Sequence, residues 1–164
     1  MVEINTVRIR NARYDDIQKI LTLLVDTFRP YERYYTEDAF VHAILLSSDE
    51  IRKRLENPKK LVIVAVIKNQ IIGTITATFQ DDRQVHLQSM GVLPDFQGFG
   101  IGRLLLEKIE RITREKNYKR IYFECFEPLK KSIKLYEKYG YRTTGKTIPF
   151  YGVTFFEMKK DFDE

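Results

Sequence analysis

The sequence predicts an α+β layer fold, in which helices pack on the faces of one mixed sheet. Three consecutive strand-like segments, separated by short polar turns, lie between residues 61 and 92 and are typical of an antiparallel meander. The pattern then changes to a helix, a strand, a second helix and a closing pair of strands. A meander followed by a strand–helix–strand arrangement implies a mixed sheet flanked by helices.

The first third of the chain is mainly helical in pattern. Residues 7–13 alternate as a short strand, and Asp15 and Asp16 then suit the cap of a helix over 17–28. That helix ends at Phe28-Arg29-Pro30, because the residue before a proline disfavours the helical conformation. A loop dense in tyrosines follows, and further helices are predicted over 36–47 and 49–56.

The middle of the chain predicts the meander. Leu61–Ile67 is a continuous apolar run, which is typical of a central strand. Ile71–Phe79 is rich in isoleucine and threonine, which favour strands, and Val85–Val92 completes the set. The remaining elements follow in order: a helix over Leu104–Arg114, a strand over Arg120–Phe126, a helix over 129–139, and strands over Tyr141–Lys146 and Val153–Lys159.

Composition indicates a globular protein with one domain over residues 1–164. The 164 residues are 43% hydrophobic and 31% charged, and no apolar run approaches the roughly 20 residues of a membrane span. Met1–Asn5 lacks the basic and apolar segments of a secretory leader. The single cysteine, Cys125, excludes an internal disulfide and suits a reducing compartment. We therefore expect a cytoplasmic protein with no membrane partner.

The distribution of charged residues limits the classes of partner that this protein is expected to bind. A net charge of +5 is mild and favours an anionic cofactor or an acidic partner. Basic residues cluster at Lys59-Lys60, Lys116–Arg120 and Lys130-Lys131, but no nucleic-acid motif accompanies them, so we expect solvated surface and no nucleic-acid partner. The two histidines and one cysteine have no metal-ligand spacing, and no metal is expected.

A strand, a glycine-rich turn and a helix follow one another at residues 90–103. Three alternate glycines, Gly98, Gly100 and Gly102, stand between the strand that ends at Val92 and the helix that begins near Leu104. The first N–H groups of a helix have no intrahelical acceptor, and the helix dipole adds positive charge there. Glycine also lets the backbone approach phosphate oxygens closely. This segment therefore predicts a site for a phosphorylated cofactor.

Two familiar phosphate motifs do not fit. A dinucleotide fold needs glycines at positions one, three and six, but the sixth position counted from Gly98 is Arg103. A P-loop needs Gly-Lys followed by Ser or Thr, whereas Gly102 is followed by Arg103 and Leu104. What the segment contains is Gln97-x-x-Gly100-x-Gly102. This resembles the acyl-CoA pyrophosphate loop of the GCN5-related N-acetyltransferases (GNAT), usually written Arg/Gln-x-x-Gly-x-Gly/Ala.

Two further segments resemble the same family. Residues 132–141 form a short helix in which Tyr136 is followed four residues on by Gly140 and an aromatic, Tyr141. The start of the chain, over 7–16, is similar to the family's first strand and the beginning of its first helix. The resemblance spans about residues 7–160. It implies a three-layer α/β/α fold with a mixed, mostly antiparallel sheet of about seven strands, splayed between the fourth and fifth.

The resemblance also implies acetyl-CoA as cofactor, held in the splayed gap. Backbone amides of Gln97–Arg103 would bind the pyrophosphate, and the pantetheine arm would pair with the Met90–Val92 strand edge. The N–H of Met90 would face the thioester oxygen as an oxyanion donor. The expected cofactor-binding residues are Met90, Gly91, Val92, Gln97, Gly98, Phe99, Gly100, Ile101, Gly102 and Arg103.

Tyr136 is the candidate catalytic acid. Its position resembles that of the tyrosine that many family members aim at the CoA sulfur, and a phenol suits protonation of a departing thiolate. The alternative is a tyrosine that only packs in the core. The family often has Asn and Ala seven and four residues before this tyrosine, where this chain has Leu129 and Ser132. The missing Asn puts one hydrogen bond to pantetheine in doubt.

His86 is the candidate general base. In histone-acetylating members a glutamate occupies the matching place on the fourth strand, and the alternation of a strand predicts His86, Gln88 and Met90 on one face. A structural or exposed histidine is the alternative. Glu32 and Glu124 are weaker candidates for the base, and many family members deprotonate the amine through ordered water.

The loop after the first helix carries the candidate acceptor residues. They are Tyr31, Glu32, Tyr34 and Tyr35, with Phe150 and Tyr151 near the end of the chain. Aromatic rings beside a carboxylate suit an ammonium group, although the same rings also suit simple packing of the loop.

The leading hypothesis is therefore an acetyl-CoA-dependent N-acetyltransferase that acts on a primary amine. The acceptor is a small cationic amine such as a polyamine, or a protein amino group. The alternative is an acyl-CoA-binding regulatory module without transferase activity. Exposed strand edges can pair between two copies of the chain, so a homodimer is a further alternative.

Overall fold

One mixed sheet of seven strands organises the computed structural model of this protein, which describes residues 2–162. In chain order the strands are β1 (Arg8–Asn11), β2 (Lys60–Ile67), β3 (Gln70–Phe79), β4 (Gln84–Val92), β5 (Arg120–Cys125), β6 (Arg142–Phe150) and β7 (Val153–Asp161). They lie in the order β1-β2-β3-β4-β5-β7-β6, and every neighbouring pair is antiparallel except β4 and β5. The predicted mixed, mostly antiparallel sheet is confirmed.

Helices cover both faces of this sheet. They are α1 (Ile17–Phe28), α2 (Glu37–Ala43), α3 (Ser48–Glu56), α4 (Ile101–Glu115) and α5 (Lys130–Lys138). One apolar cluster joins α1 and α3 to β2, and a second joins α4 to the opposite face. The three-layer arrangement is thus confirmed. Within the described residues no helix is both long and apolar enough to cross a membrane.

Several predicted boundaries were wrong, for identifiable reasons. The second helix ends at Ala43 instead of Ser47, because Ser47 caps α3: its hydroxyl accepts a hydrogen bond from the N–H of Glu50 at 3.1 Å. The tyrosine loop after α1 is a 3-10 helix over Arg29–Tyr34. At the other end of the chain, β6 continues past Lys146 to Phe150.

The sheet opens between β4 and β5. These strands pair only through Gln84–His86 and Arg120–Tyr122, after which neither is the other's neighbour in the ladder. The predicted splay between the fourth and fifth strands is therefore confirmed. The opening leaves the second half of β4 free on the side of β5, and two large cavities lie there.

A β-bulge reverses the faces of β4 inside this opening. Gln88 pairs with Thr76, but the next paired residue of β4 is Gly91, so Ser89 and Met90 together stand opposite one residue of β3. Ser89 has a φ of 51°, in the left-handed region. The prediction that His86, Gln88 and Met90 share a face is wrong for Met90. Its side chain packs with the α4 cluster, because the extra residue shifts the alternation by one.

A buried carboxylate ties α4 to the far half of the sheet. Glu110 of α4 accepts hydrogen bonds from Tyr141 Oη at 3.0 Å and from Lys160 Nζ of β7 at 2.9 Å. Only 6% of Glu110 is exposed. Since β4 and β5 share so few pairs, this contact helps to hold the two halves of the sheet in place.

We expect Glu110→Ala to lower the free energy of unfolding by about 3 kcal/mol, because it leaves Lys160 and the Tyr141 hydroxyl without their acceptor in a buried place. Urea unfolding followed by circular dichroism measures the change. The exposed Glu115→Ala at the end of the same helix is the control, with an expected change below about 0.5 kcal/mol. A similar small loss in both variants would contradict the role given to Glu110.

Candidate active site

The larger of the two cavities lies in the opening of the sheet, between the end of β4 and the helices α4 and α5. Its volume is about 610 Å³, within the range of cofactor sites. The predicted cofactor residues that line it are Met90, Gly91, Val92, Gln97, Gly98, Gly100, Ile101, Gly102 and Arg103. Phe99 does not line the cavity, and its ring is 39% exposed. We call this the donor cavity.

The backbone of the glycine turn presents a row of unused hydrogen-bond donors. No described residue accepts a hydrogen bond from any N–H group from Gly98 to Arg103. Gly98 and Gly100 have φ values of 85° and 87°, a conformation that glycine adopts without strain. The Gln97 side chain fixes the turn, because its Nε2 donates to the carbonyl of Val92 at 2.8 Å. The helix also begins earlier than predicted, at Ile101 instead of Leu104.

Charge and unpaired polar atoms fit an anionic ligand in the donor cavity. Arg103, Lys131, Lys134 and Lys138 all line it. Thr27 Oγ1 and Arg103 Nε are buried without a hydrogen-bond partner among the described residues, and the carboxylate paired with Arg103, Glu107, is 3.9 Å from this Nε. Buried polar groups in folded proteins normally have partners, so these atoms indicate a place where a ligand contributes them. The residues present therefore fit a pyrophosphate-bearing cofactor.

A second cavity, of about 440 Å³, meets the donor cavity in the middle of the opening. The residues that line both cavities are Phe28, Met90, Leu129 and Ser132. A molecule in one cavity can therefore reach a molecule in the other beside Met90. Leu129 and Ser132 are the two positions where this chain departs from the family pattern. We call the second cavity the acceptor cavity.

Tyr136 lies where the cavities meet. It lines the acceptor cavity, and its hydroxyl donates a hydrogen bond to Met90 Sδ at 3.1 Å. Its ring packs on Phe123 with centroids 4.2 Å apart. Burial raises the pKa of the Tyr136 phenol, so the hydroxyl stays protonated at neutral pH. The helix that carries Tyr136 approaches α4 closely, since a Cβ at Gly102 would lie 3.0 Å from Leu135.

His86 lies next to the acceptor cavity but does not line it. Its Nε2 is 2.7 Å from Oε1 of Glu124, which does line the cavity. Glu124 also stands directly opposite Glu157 in the β5–β7 ladder, and Glu157 lines the cavity as well. Glu32, the other candidate base, lies away from both cavities and pairs with Arg29 at 2.7 Å.

The structure separates the residues that the sequence grouped as an acceptor site. Tyr35 lines the acceptor cavity, where it packs on Phe126 with centroids 4.8 Å apart, but Tyr31 lines the donor cavity. Glu32 and Tyr34 line neither. At the other end of the chain, Phe150 lines the acceptor cavity.

The turn between β6 and β7 also packs against α2. The ring of Tyr151 stacks on His42 with centroids 3.9 Å apart, and its carbonyl accepts a hydrogen bond from the Thr36 hydroxyl. His42 lines the acceptor cavity, so this contact closes one side of it.

Sequence reasoning missed three charged residues of the acceptor cavity: Arg54, Lys146 and Glu157. The alternation of β7 carries a signal for Glu157, since it places Phe155 and Glu157 on one face and both line the cavity. Arg54 comes from α3, far away in sequence from the rest of the site, and no local pattern marks it.

These features define a class of protein. A phosphate-binding turn at a helix N-terminus opens a donor cavity, and that cavity meets a second one beside a buried tyrosine, as an acyl-CoA-dependent transferase requires. A sequence model of the acetyltransferase (GNAT) family matches residues 17–141. The chain belongs to this family and is an N-acetyltransferase with acetyl-CoA as its cofactor.

Known acetyltransferases are similar to this chain in sequence and in fold. An acetyltransferase of Pectobacterium atrosepticum is 26% identical over 139 residues, covering 84% of this chain and 89% of that protein. The structure is similar to PaiA N-acetyltransferase from Thermoplasma acidophilum in complex with coenzyme A, with a TM-score of 0.81 and 19% identity, covering 95% and 99% of the chains. It is also similar to the ribosomal-protein-S18-alanine N-acetyltransferase of Escherichia coli, with a TM-score of 0.74 and 16% identity, covering 94% and 93%.

We expect Gly100→Glu to weaken acetyl-CoA binding at least about 100-fold, because the added carboxylate would enter the donor cavity beside the pyrophosphate and repel it. Isothermal titration calorimetry measures the affinity.

Gly145→Glu is the matched control for this variant. Gly145 has the same φ of 87° and open space around it, but it lies in β6, away from the donor cavity. Equal loss of affinity in both variants would attribute the effect to backbone strain and would contradict the placement of the pyrophosphate.

Proposed function

We propose that this protein transfers the acetyl group of acetyl-CoA directly to a primary amine in the acceptor cavity. The observation that carries the proposal is the meeting of the two cavities at Met90, with Tyr136 on one side. Glu124 and Glu157 place two carboxylates on the β5–β7 side of the acceptor cavity, where they outnumber the one cation of that side, Lys146, and favour an ammonium group. The acceptor is thus a small cationic amine, of which a polyamine is one case, or an amino group of a protein.

Positioning is the first task of the site. The unused N–H groups from Gly98 to Arg103 bind the pyrophosphate, and the lysines of α5 surround the remaining phosphate charge. When bound, acetyl-CoA supplies an activated acetyl thioester. The bulge at Ser89 and Met90 takes these two residues out of the β3–β4 ladder. The N–H of Met90 then acts as the oxyanion donor for the acetyl carbonyl.

Proton transfer is the second task. The amine must lose a proton before its nitrogen bonds to the acetyl carbon and the carbon–sulfur bond breaks. Glu124, backed by His86 at 2.7 Å, receives the proton of the amine. Tyr136 donates its proton to the departing sulfur. Its hydroxyl already points at a sulfur atom, that of Met90, so its direction suits this role.

Tyr136→Phe tests the acid. We expect kcat to fall about 100-fold while the Kd for acetyl-CoA stays within about twofold, because the ring remains and only the proton donor is lost. Thiol-release assays at saturating acetyl-CoA measure kcat, and calorimetry measures the Kd for acetyl-CoA.

Tyr118→Phe is the control for this substitution, since Tyr118 packs on Phe79 away from both cavities. Unchanged kcat in Tyr136→Phe would reduce Tyr136 to a packing residue.

Glu124→Gln tests the base. We expect kcat/KM to fall about 100-fold at pH 7, and the deficit to shrink towards pH 10, where more of the amine is already deprotonated in solution. A pH profile of kcat/KM for both proteins measures the effect.

Glu127→Gln, an exposed glutamate in the same segment paired with Lys130, serves as the control and should match the unmodified protein at every pH. A deficit in Glu124→Gln that is constant from pH 7 to 10 would contradict the proton-accepting role.

The whole proposal is tested by titrating acetyl-CoA, CoA and NADH into the protein, then screening amines by thiol release. We expect acetyl-CoA and CoA to bind and NADH not to bind, and we expect thiol release from acetyl-CoA to depend on an added amine. Binding without release from any amine would instead favour the regulatory module.

A further inference from the structure

Arg54 is a cation in the wall of the acceptor cavity that the mechanism above does not use. It belongs to α3, which packs against β2, and its side chain is half-buried. Its Nη1 donates to Thr76 Oγ1 at 3.1 Å and to Ser89 Oγ at 2.9 Å. Both acceptors are neutral hydroxyls. These bonds hold the guanidinium in place, next to the bulge of β4, but do not neutralise its charge.

No carboxylate among residues 2–162 forms an ion pair with Arg54. Glu50, one turn earlier in α3, raises the pKa of Arg54 through space, but its carboxylate binds Ser47 at the start of the helix. Burial lowers the pKa of Arg54 to about 10, so the side chain remains charged at neutral pH. A half-buried charge without a counterion is unfavourable, which indicates that a bound molecule supplies the anion.

The neighbouring Lys60 adds to the positive charge on this side. Its Nζ donates to Thr78 Oγ1 at 3.0 Å, again a neutral hydroxyl. Burial lowers the pKa of Lys60, and the nearby charge of Arg54 lowers it further. Two cations therefore lie close together near β2, and of these two Arg54 is the one that lines the acceptor cavity.

The bonding of Arg54 leaves the right donors for a carboxylate. Since Nη1 makes both hydrogen bonds within the protein, Nε and Nη2 have no acceptor among the described residues. These two nitrogens form one edge of the planar guanidinium, with parallel N–H groups. That edge matches the two oxygens of a carboxylate in a bidentate pair.

The acidic side of the cavity lies across the opening of the sheet. Glu124 of β5 and Glu157 of β7 line it there with Lys146 of β6, two carboxylates against one ammonium, whereas Arg54 is anchored on β3 and β4. The backbones of β3 and β5 are two strand spacings apart, about 10 Å, and the splay widens this distance. The acceptor cavity thus has a cationic end and an anionic end, several carbon–carbon bonds apart.

We infer that the acceptor is an amine that also carries a carboxylate, separated from the amine by a short carbon chain. The carboxylate binds Arg54 and the amine faces Glu124, beside the opening to the donor cavity. This inference rests on the proposed function and names the substrate class of that site. A simple diamine or polyamine lacks the group that neutralises Arg54 and would bind less well.

Matched amines that differ only in the carboxylate test this inference. Lysine and cadaverine form one pair, and 6-aminohexanoate and pentylamine form a second. We expect kcat/KM, measured by thiol release at saturating acetyl-CoA, to be at least about tenfold higher for the carboxylate member of each pair. Equal values, or a preference for the plain amine, would overturn the inference and leave the proposed function standing. Normal acetyl-CoA binding without acetylation of any amine would overturn both.

Substitution of the arginine identifies the group responsible. Arg54→Gln should lower kcat/KM for lysine at least about tenfold and for cadaverine less than about threefold, which removes the preference. Arg54→Lys keeps the positive charge but loses the two parallel N–H groups of the guanidinium. It should therefore restore part of the preference for lysine over cadaverine. Arg52→Gln is the control, because Arg52 lies on the exposed side of α3, paired with Asp49. An equal loss for both amines in Arg54→Gln, with no recovery of the preference in Arg54→Lys, would show that Arg54 only supports the bulge and would overturn the inference.

Discussion

The short pairing of β4 with β5 is the constraint on which the rest of the site depends. A parallel pair held by Gln84–His86 and Arg120–Tyr122 alone leaves strand backbone unpaired in the middle of a sheet. Unpaired backbone groups away from water are costly, so such an opening persists only where other groups or a ligand meet them. Here the opening is walled by α1, α4 and α5 and holds both cavities. The Glu110 contact with Tyr141 and Lys160 bridges the two halves from the α4 side.

Within that opening, the bulge of β4 directs side chains before and after it to different faces of the sheet. Before the bulge, Gln88 points into the acceptor cavity, on the side of Thr76. After it, the alternation is shifted, so Met90 packs toward α4 and receives the hydrogen bond of Tyr136. The same extra residue brings Ser89 to Arg54. One local irregularity thereby determines where the two cavities meet, which atom accepts the hydrogen bond of Tyr136, and which hydroxyl of β4 holds the half-buried Arg54.

The sequence predicted most of the fold because strand and helix periodicities are local, and it predicted the donor cavity because glycine spacing determines a turn. Gly98 and Gly100 have the left-handed φ values that the motif requires. What the sequence could not predict depends on tertiary geometry. The face of Met90 follows from a bulge with no signature residue, since Ser89 is not a glycine. The contact of His86 with Glu124 follows from strand register, and the position of Arg54 follows from how α3 docks on the sheet.

The two groups assigned to proton transfer lie in opposite environments, which argues for their separate roles. Tyr136 is packed between Phe123 and Met90, where a phenolate would be poorly solvated, so the residue is suited to hold its proton until a sulfur anion forms beside it. His86 and Glu124 keep 21% and 29% of their side chains exposed, and Glu124 lines the acceptor cavity, within reach of a molecule bound there. Exchanging the roles would require a buried phenolate at Tyr136, which its apolar surroundings disfavour. In the proposed mechanism this difference sets the direction of proton flow, from the amine on the β5 side to the sulfur on the α5 side.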